Sequence, residues 1–443
     1  MKQKYSAIMA SSLTKIINIA VIVIMILNIV IPDHKQSETE NRPLQTFPSL
    51  NMEHVLSGQY GKDLNTWFSD QFIFRDQNIH VKYLIQKFTG VKEIQGVYLT
   101  KRGLIEKTSE VNKKQLDRNL KAINSFKENN PDLKVGFMLA PNAVNIEKDS
   151  LPKSADCLDQ NKQMDDIYNR IDDSIKKIDL RSTLEKHKDE YLYYKTDHHW
   201  TSLASYYSYQ KLASSFKLDK TNKNDYKIYP VADSFEGTLA NKTGSMNIKD
   251  EIDIYVPKTK TDYVVTDEST NKKSRTIYHS EALETKNQYA VFMGGNKSLF
   301  HINIDNDSNK HLLLIKDSYA NSLIPFLIPE YASITVIDPR YYFDDYTRLI
   351  QNDLITDVLF MYNSNKLIAI TNRHLCSRPL NEQLHRICSL HPGAVILREK
   401  DLPEEEYLLL ADQALTICKE YDVPCILHSF VSAARTLHAP YLH

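Results

Sequence analysis

The longest apolar run in the chain is IINIAVIVIMILNIVI, residues 16–31. Lys2, Lys4 and Lys15 precede it, and Pro32 and Asp33 end it. Coiled as a helix at about 1.5 Å per residue, the run rises about 24 Å, slightly less than a hydrocarbon core of about 30 Å. Lys15 can snorkel, and Leu13 with Thr14 can extend the span. A run that is apolar all round reads as a membrane span rather than a surface helix. No small-residue cleavage pattern follows it, so an uncleaved signal anchor is expected. The lysines place the N-terminus in the cytoplasm and everything after Asp33 outside. Residues 1–32 are therefore read as cytoplasmic N-terminus and transmembrane anchor, a single-pass attachment to the cell membrane.

Polar and proline-containing residues 33–60 read as a stalk. Aromatics at Trp67, Phe68, Phe72 and Phe74 mark an amphipathic helix within 61–90. Beyond it, short apolar runs predict strands at 96–100, 134–141 and 191–195. Buried strands are predicted at 289–295, 311–318, 333–338 and 357–363. Helices are predicted at 111–128, at 162–177 and, after the cap-like Thr201, at 201–215. Residues 216–290 read as a mixed or β insertion. Strands alternating with helices argue for an α/β layered domain with a mostly parallel sheet over residues 61–365.

Composition changes this picture near Asn365. Of 55 Lys and Arg, only eight lie in residues 366–443, whereas four of the five cysteines do. The last 78 residues are thus a different kind of sequence. They alternate strand (367–371), helix (381–390), strand (394–399), helix (404–421), strand (424–428), helix (432–437) and strand (441–443). Before this break only Cys157 occurs, so no disulfide framework is possible there. The formal net charge of −1 excludes a global nucleic-acid footprint. Glycine is scarce, and no GxxxxGK[ST] or GxGxxG string occurs. Nothing calls for a cofactor.

Three strings in residues 34–365 can carry chemistry: Thr196-Asp197-His198-His199-Trp200 before a helix, Lys316-Asp317-Ser318-Tyr319 after a strand, and Gly294-Gly295-Asn296. A serine at the carboxyl end of a sheet strand sits at the ligand-binding edge. A histidine can take its proton, and a carboxylate can fix the histidine tautomer. In an extended stretch, Asp197 and His199 point to one side. The Ser318 amide and the Asn296 side chain are candidate oxyanion donors. On spacing alone, Asp197 reads equally as a helix cap, the histidines as structural, and Ser318 as a cap. Arg340, with Tyr341 and Tyr342, is either a substrate contact or packing. Asp197, His198 and His199 are also a conceivable metal group, but no further ligands cluster with them and none is expected.

Residues 35–364 resemble the bacterial DHHW family. The strings that carry this are ENRPLQTFPSL (40–50), FSDQFIFRD (68–76), GVYLTKRG (96–103), FMLAPNAVNIEKDSLP (137–152), YKTDHHWT (194–201), FEGTLANK (235–242), VFMGGN (291–296), LLLIKDSYANSLIPFL (312–327) and VIDPRYY (336–342). That family looks related to the SGNH-hydrolase-like proteins of alginate O-acetylation. The resemblance implies an SGNH-like fold in which Asp197 and His199 fall on the Asp–His pair of those alginate proteins and Ser318 on their nucleophile. It implies acyl transfer or ester hydrolysis on an acylated sugar or surface polysaccharide. The rival reading is a non-catalytic surface carbohydrate-binding protein that kept the fold.

The tail resembles the N-terminal part of thiamine phosphate synthase and its TenI-like relatives. The carrying strings are IAITNRHLC (368–376), VILREKDLPEEEYLLLA (395–411) and CKEYDVPCILH (418–428). Arg398 and Lys400 fall on that family's phosphate-contacting string, but Ile396 replaces its glutamine and His428-Ser429 its Asn-Asp. A thiamine phosphate synthase activity therefore lacks a metal-binding carboxylate. A (βα) barrel needs eight units and the tail supplies about three and a half. The expectation is a fused or misjoined fragment, cut off at His443.

Overall fold

The computed structural model describes residues 14–16, 18–19, 22–28, 30–37, 42–108, 111, 113–342, 346–364, 369–370, 380–389, 394–397, 399, 402–428, 430–437, 439 and 441–442. The chain divides into two compact units, residues 1–95 with 238–248, and residues 96–237 with 249–443.

In the first unit, 14–16, 18–19, 22–28 and 30 are helical. Among the described residues, no helix is long and apolar enough to cross a membrane; Ile17, Ala20, Val21 and Ile29 lie outside them. The amphipathic stretch forms two helices, α1 (Gln59–Gln71) and α2 (Arg75–Phe88). Phe74, at φ 54°, turns the chain between them. In place of a featureless stalk, residues 33–60 include a pairing of Gln36–Ser37 with Arg42–Pro43 and a helix over Met52–Leu56.

The second unit is built on an eight-stranded sheet. Its strands are β1 (Lys134–Ala140), β2 (Lys176–Asp179), β3 (Tyr263–Asp267), β4 (Lys272–Ser274), β5 (Leu299–Ile304), β6 (His311–Lys316), β7 (Ser333–Ile337) and β8 (Asp357–Asn363). Their order is β4-β3-β5-β7-β6-β8-β1-β2. Strands β7, β6, β8, β1 and β2 pair in parallel, and β5, β3 and β4 extend one edge antiparallel.

The central strands alternate between two buried faces, as parallel strands covered by helices must. Leu312 and Leu314 of β6 join a core with Trp200, Tyr209, Leu212 and Phe216. Leu313 and Ile315 join another with Leu120, Ile123, Phe126 and Met164. Helix α5, with Trp200 on the loop before it, supplies the first set and helices α3 and α4 the second, with α3 at Lys113–Asn129, α4 at Gln160–Arg170 and α5 at Ser202–Phe216. Helix α4 stops at Arg170, not at 177, because the chain turns into edge strand β2.

Two predicted strands are corrected. YLYYK (191–195) is a loop with a single bridge from Tyr193 to Trp200. The run 289–295 holds a 3-10 turn at Gln288–Val291, with one bridge from Phe292 to Tyr278. Both runs are apolar because they are buried, while their backbone polar groups find loop and side-chain partners in place of a ladder. A bulged hairpin, Tyr226–Phe235 against Asp250–Pro257, fills part of the β insertion.

Beyond residue 365, Ala369–Ile370, Val395–Leu397, Cys425–Leu427 and Tyr441–Leu442 pair in parallel and in sequence order. Helices Leu380–Ser389, Glu404–Glu420 and Val431–Thr436 connect them, and these elements bury a cluster of their own around Tyr407 and Cys418. Arg398 and Lys400 lie outside the described residues.

Candidate active site

Strand β6 lies in the middle of the sheet, and Ser318 follows directly on its carboxyl end. Asp317 starts the turn: its carboxylate accepts the Tyr319 N–H at 2.9 Å and the Asn363 N–H, from the end of β8, at 2.6 Å. These bonds fix a 3-10 turn over Ser318–Ser322 and leave the serine half-buried.

The Asp–His string sits on the loop that enters α5. Thr201 caps that helix and donates its hydroxyl to the Tyr191 carbonyl at 2.7 Å. Asp250 gathers the front of the loop by accepting from the backbone of Lys195 and Thr196, from the Thr196 hydroxyl and from Tyr191. The fully buried Trp200 donates its indole N–H to the Tyr319 carbonyl at 2.9 Å and to Ser322 Oγ at 3.1 Å. Tyr319 in turn donates to the His198 carbonyl. The histidine loop and the serine turn are thereby tied together.

His199 Nε2 lies 2.9 Å from Ser318 Oγ, and its Nδ1 lies 2.6 Å from Asp197 Oδ1. The same carboxylate oxygen accepts the His199 amide at 3.0 Å. Tyr289 stacks on the imidazole at 3.9 Å and 11°, and its hydroxyl donates to the Ser318 carbonyl at 3.2 Å. His198 lies against His199 at 4.0 Å between ring centres. Burial first, and then the neighbouring His198, push the His199 pKa down to about 4, against the pull of Asp197. The imidazole is therefore a free base at neutral pH, able to take a proton from Ser318.

This shift has two expected consequences. Turnover that depends on neutral His199 should be level from neutral pH to about 5 and fall as pH drops through about 4. Stability should move the same way. Unfolded, His199 takes up a proton near 6.5, but folded only near 4, so falling pH between these values favours the unfolded chain. The contribution is on the order of 3 kcal/mol. A pH–rate profile with urea melts at each pH checks both.

Asn296 is placed elsewhere than expected. Its Oδ1 faces Lys316 Nζ at 3.3 Å and Asn321 Nδ2 at 3.4 Å. The described contacts thus give its side chain to the lysine network. Lys316 is fully buried; its ammonium donates to Asn321 Oδ1 at 2.7 Å and lies 3.8 Å from Asp338. Arg340 is bound to Asp338 through Nε at 2.8 Å and Nη2 at 2.5 Å. That pairing commits two of its donors to packing the turn after β7.

Asp197, His198 and His199 offer three ligand atoms within 4.8 Å of one another. A metal there would compete with the Asp197–His199 hydrogen bond for the same oxygen, and His199 Nε2 already faces Ser318.

Sequence reading missed Tyr289, Asp250 and Gly237. Tyr289 was hidden in a run that read as strand, and Asp250 carried no local signal. Gly237 stands in the FEGTLANK string. A Cβ there would lie 2.3 Å from Asp197 Cβ and 2.7 Å from its Oδ2. Gly237→Ala is expected to displace the carboxylate and lower any turnover that depends on the Asp197–His199 pair about 10- to 1,000-fold. A thermal melt of the same variant separates this from loss of fold.

The fold and the site define an α/β protein with a Ser–His–Asp group at the carboxyl edge of a mostly parallel sheet. Residues 129–337 match the family model described as DHHW protein, and residues 367–443 match the one described as thiamine monophosphate synthase. Both resemblances read from the sequence are borne out, the first over a shorter span than 35–364. A DHHW family protein from Eubacterium siraeum superposes with a TM-score of 0.54 at 26% identity, over 61% of this chain and 92% of that one. Bacillus cereus PatB1, solved with a sulfonyl adduct, gives 0.53 at 20% identity, over 60% and 94%. The O-acetyltransferase domain of Pseudomonas putida AlgJ matches at 0.40 and 13%, over 65% and 95%, too remote to carry an argument. A search of the curated proteins finds no match.

Proposed function

We propose that the protein is a membrane-anchored, extracytoplasmic SGNH-like O-acyltransferase or esterase acting on an acylated sugar of a surface polysaccharide. The observation that carries this is the continuous chain Asp197–His199–Ser318, with hydrogen bonds of 2.6 and 2.9 Å. Ser318 Oγ attacks an ester carbonyl while His199 Nε2 takes its proton. Asp197 holds the Nδ1–H tautomer and stabilises the imidazolium. Collapse of the tetrahedral intermediate breaks the ester bond, and His199 returns the proton to the leaving alcohol. A sugar hydroxyl or water then attacks the acyl-serine with His199 again as base. The Ser318 amide is the candidate oxyanion donor, and Asn296 is not needed for it. Residues 1–32 serve as anchor, and the catalytic group lies within residues 96–237 and 249–364 of the second unit. The βα elements of segment 366–443 bury a cluster of their own, and the reaction uses none of their residues.

Purified full-length protein should hydrolyse a chromogenic acetyl ester, and His199→Ala should abolish this. A folded wild-type protein without turnover, but binding acetylated polysaccharide, would favour the carbohydrate-binding reading.

A further inference from the structure

The first unit carries an apolar face that the proposed chemistry does not use. On α2, Val81 is 50% exposed, Leu84 41%, Ile85 58% and Phe88 93%. At about 100° per residue these four share one arc about 100° wide. Lys82 and Lys87, both exposed, bracket that arc, while the buried Tyr83 points the opposite way. The helix is thus amphipathic with its apolar side outward, an arrangement water does not favour over so many neighbours.

What lies beside this helix identifies the occupant. The end of the apolar run 16–31 is hydrogen-bonded into the same unit. Asn28 Oδ1 accepts the Ile73 N–H at 2.9 Å, between α1 and α2. Asp33 accepts the Trp67 indole N–H at 3.0 Å and the Phe47 amide at 2.7 Å. His34 N–H donates to Gln71 Oε1 at 2.8 Å. The point at which the anchor leaves the bilayer is therefore fixed to the start of α2. Lysines flanking an apolar arc are the pattern of a helix lying in a lipid interface, with stems on the acyl chains and ammoniums among the headgroups.

We infer that α2 docks on the membrane surface, with Val81, Leu84, Ile85 and Phe88 in the acyl boundary and Lys82 and Lys87 on anionic headgroups. The inference rests on the proposed membrane anchoring. Docking would set the first unit down on the bilayer at a fixed height, with the anchor and α2 as two points of attachment.

The test uses the full chain reconstituted in phosphatidylcholine–phosphatidylglycerol vesicles, with Phe88→Trp as probe. Lys227→Trp, on an exposed strand of the second unit, is the control, and wild-type emission is subtracted. Circular dichroism confirms that each variant folds. Trp at 88 should be blue-shifted, and its emission roughly halved by lipids brominated near the headgroup, as a depth of about 5–10 Å requires. The control should be unaffected. Protein that floats with the vesicles and resists carbonate extraction, yet shows no quenching at 88, overturns docking while the anchor stands. A blue shift without quenching overturns it in favour of a protein partner or a second copy. Failure to float at all overturns the anchor and the docking together.

Discussion

Ser318→Ala is expected to remove acetyl-ester turnover, by about 10⁴- to 10⁶-fold, while leaving the fold intact. The substitution deletes one half-buried hydroxyl whose hydrogen-bond partner is His199 Nε2. No apolar volume is lost, and His199 keeps its bonds to Asp197 and its stack on Tyr289. Stability should change by no more than about 1 kcal/mol. The nucleophile, by contrast, has no substitute. Because the serine and histidine act as a unit, adding His199→Ala should cost almost nothing further. Steady-state kinetics on a chromogenic acetyl ester, beside thermal melts, read both quantities. Full activity in Ser318→Ala would sink the proposed mechanism.

The second large effect is on stability. Asp338 is fully buried, accepts three hydrogen bonds from Arg340, one from its backbone and two from its guanidinium, and lies 3.8 Å from the buried Lys316 ammonium. Burial pushes Lys316 down to about 8, with Asp338 opposing that shift, so the lysine is still charged at neutral pH. Asp338→Ala would leave the buried Lys316 ammonium and the part-buried Arg340 guanidinium without their carboxylate. The expected loss is about 3–5 kcal/mol, seen as a lower urea midpoint. Lys316 directly precedes Asp317 and Ser318, so the loss should also loosen the serine turn and lower kcat at temperatures where the chain remains folded. Arg340→Ala distinguishes the two readings of that arginine. A packing role predicts reduced stability with KM unchanged; raised KM at full stability would restore a substrate contact.

Much of the central sheet was legible because its strands carry strong local signals. HLLLI, SITVI and DVLFM are short, continuous apolar runs bounded by turn residues, as buried parallel strands require. Helix α5 announced itself by Thr201. Edge strand β2, KKID, was not legible: an edge faces water, and its polar residues carry no strand pattern, so its first two read as the end of the preceding helix. YLYYK and the run 289–295 misled for the opposite reason, since burial without a ladder leaves the same apolar composition.

The sequence by itself determined the local chemistry. A two-residue spacing puts Asp197 and His199 on one side, and a strand end puts Ser318 at the sheet edge. The resemblance to the proteins of alginate O-acetylation that the sequence carries implies the same three residues. Only the tertiary structure decided whether they meet, because His199 and Ser318 are 119 residues apart. It did so through contacts with no sequence signature: Trp200 on the Tyr319 carbonyl, Asp250 under the loop and Gly237 against Asp197. Tertiary structure also drew Asn296 to Lys316, Arg340 to Asp338 and the imidazole into a buried site. The physical reason is that a residue's type fixes which bonds it can make, whereas burial and long-range packing fix which bonds it does make and which protonation state it holds.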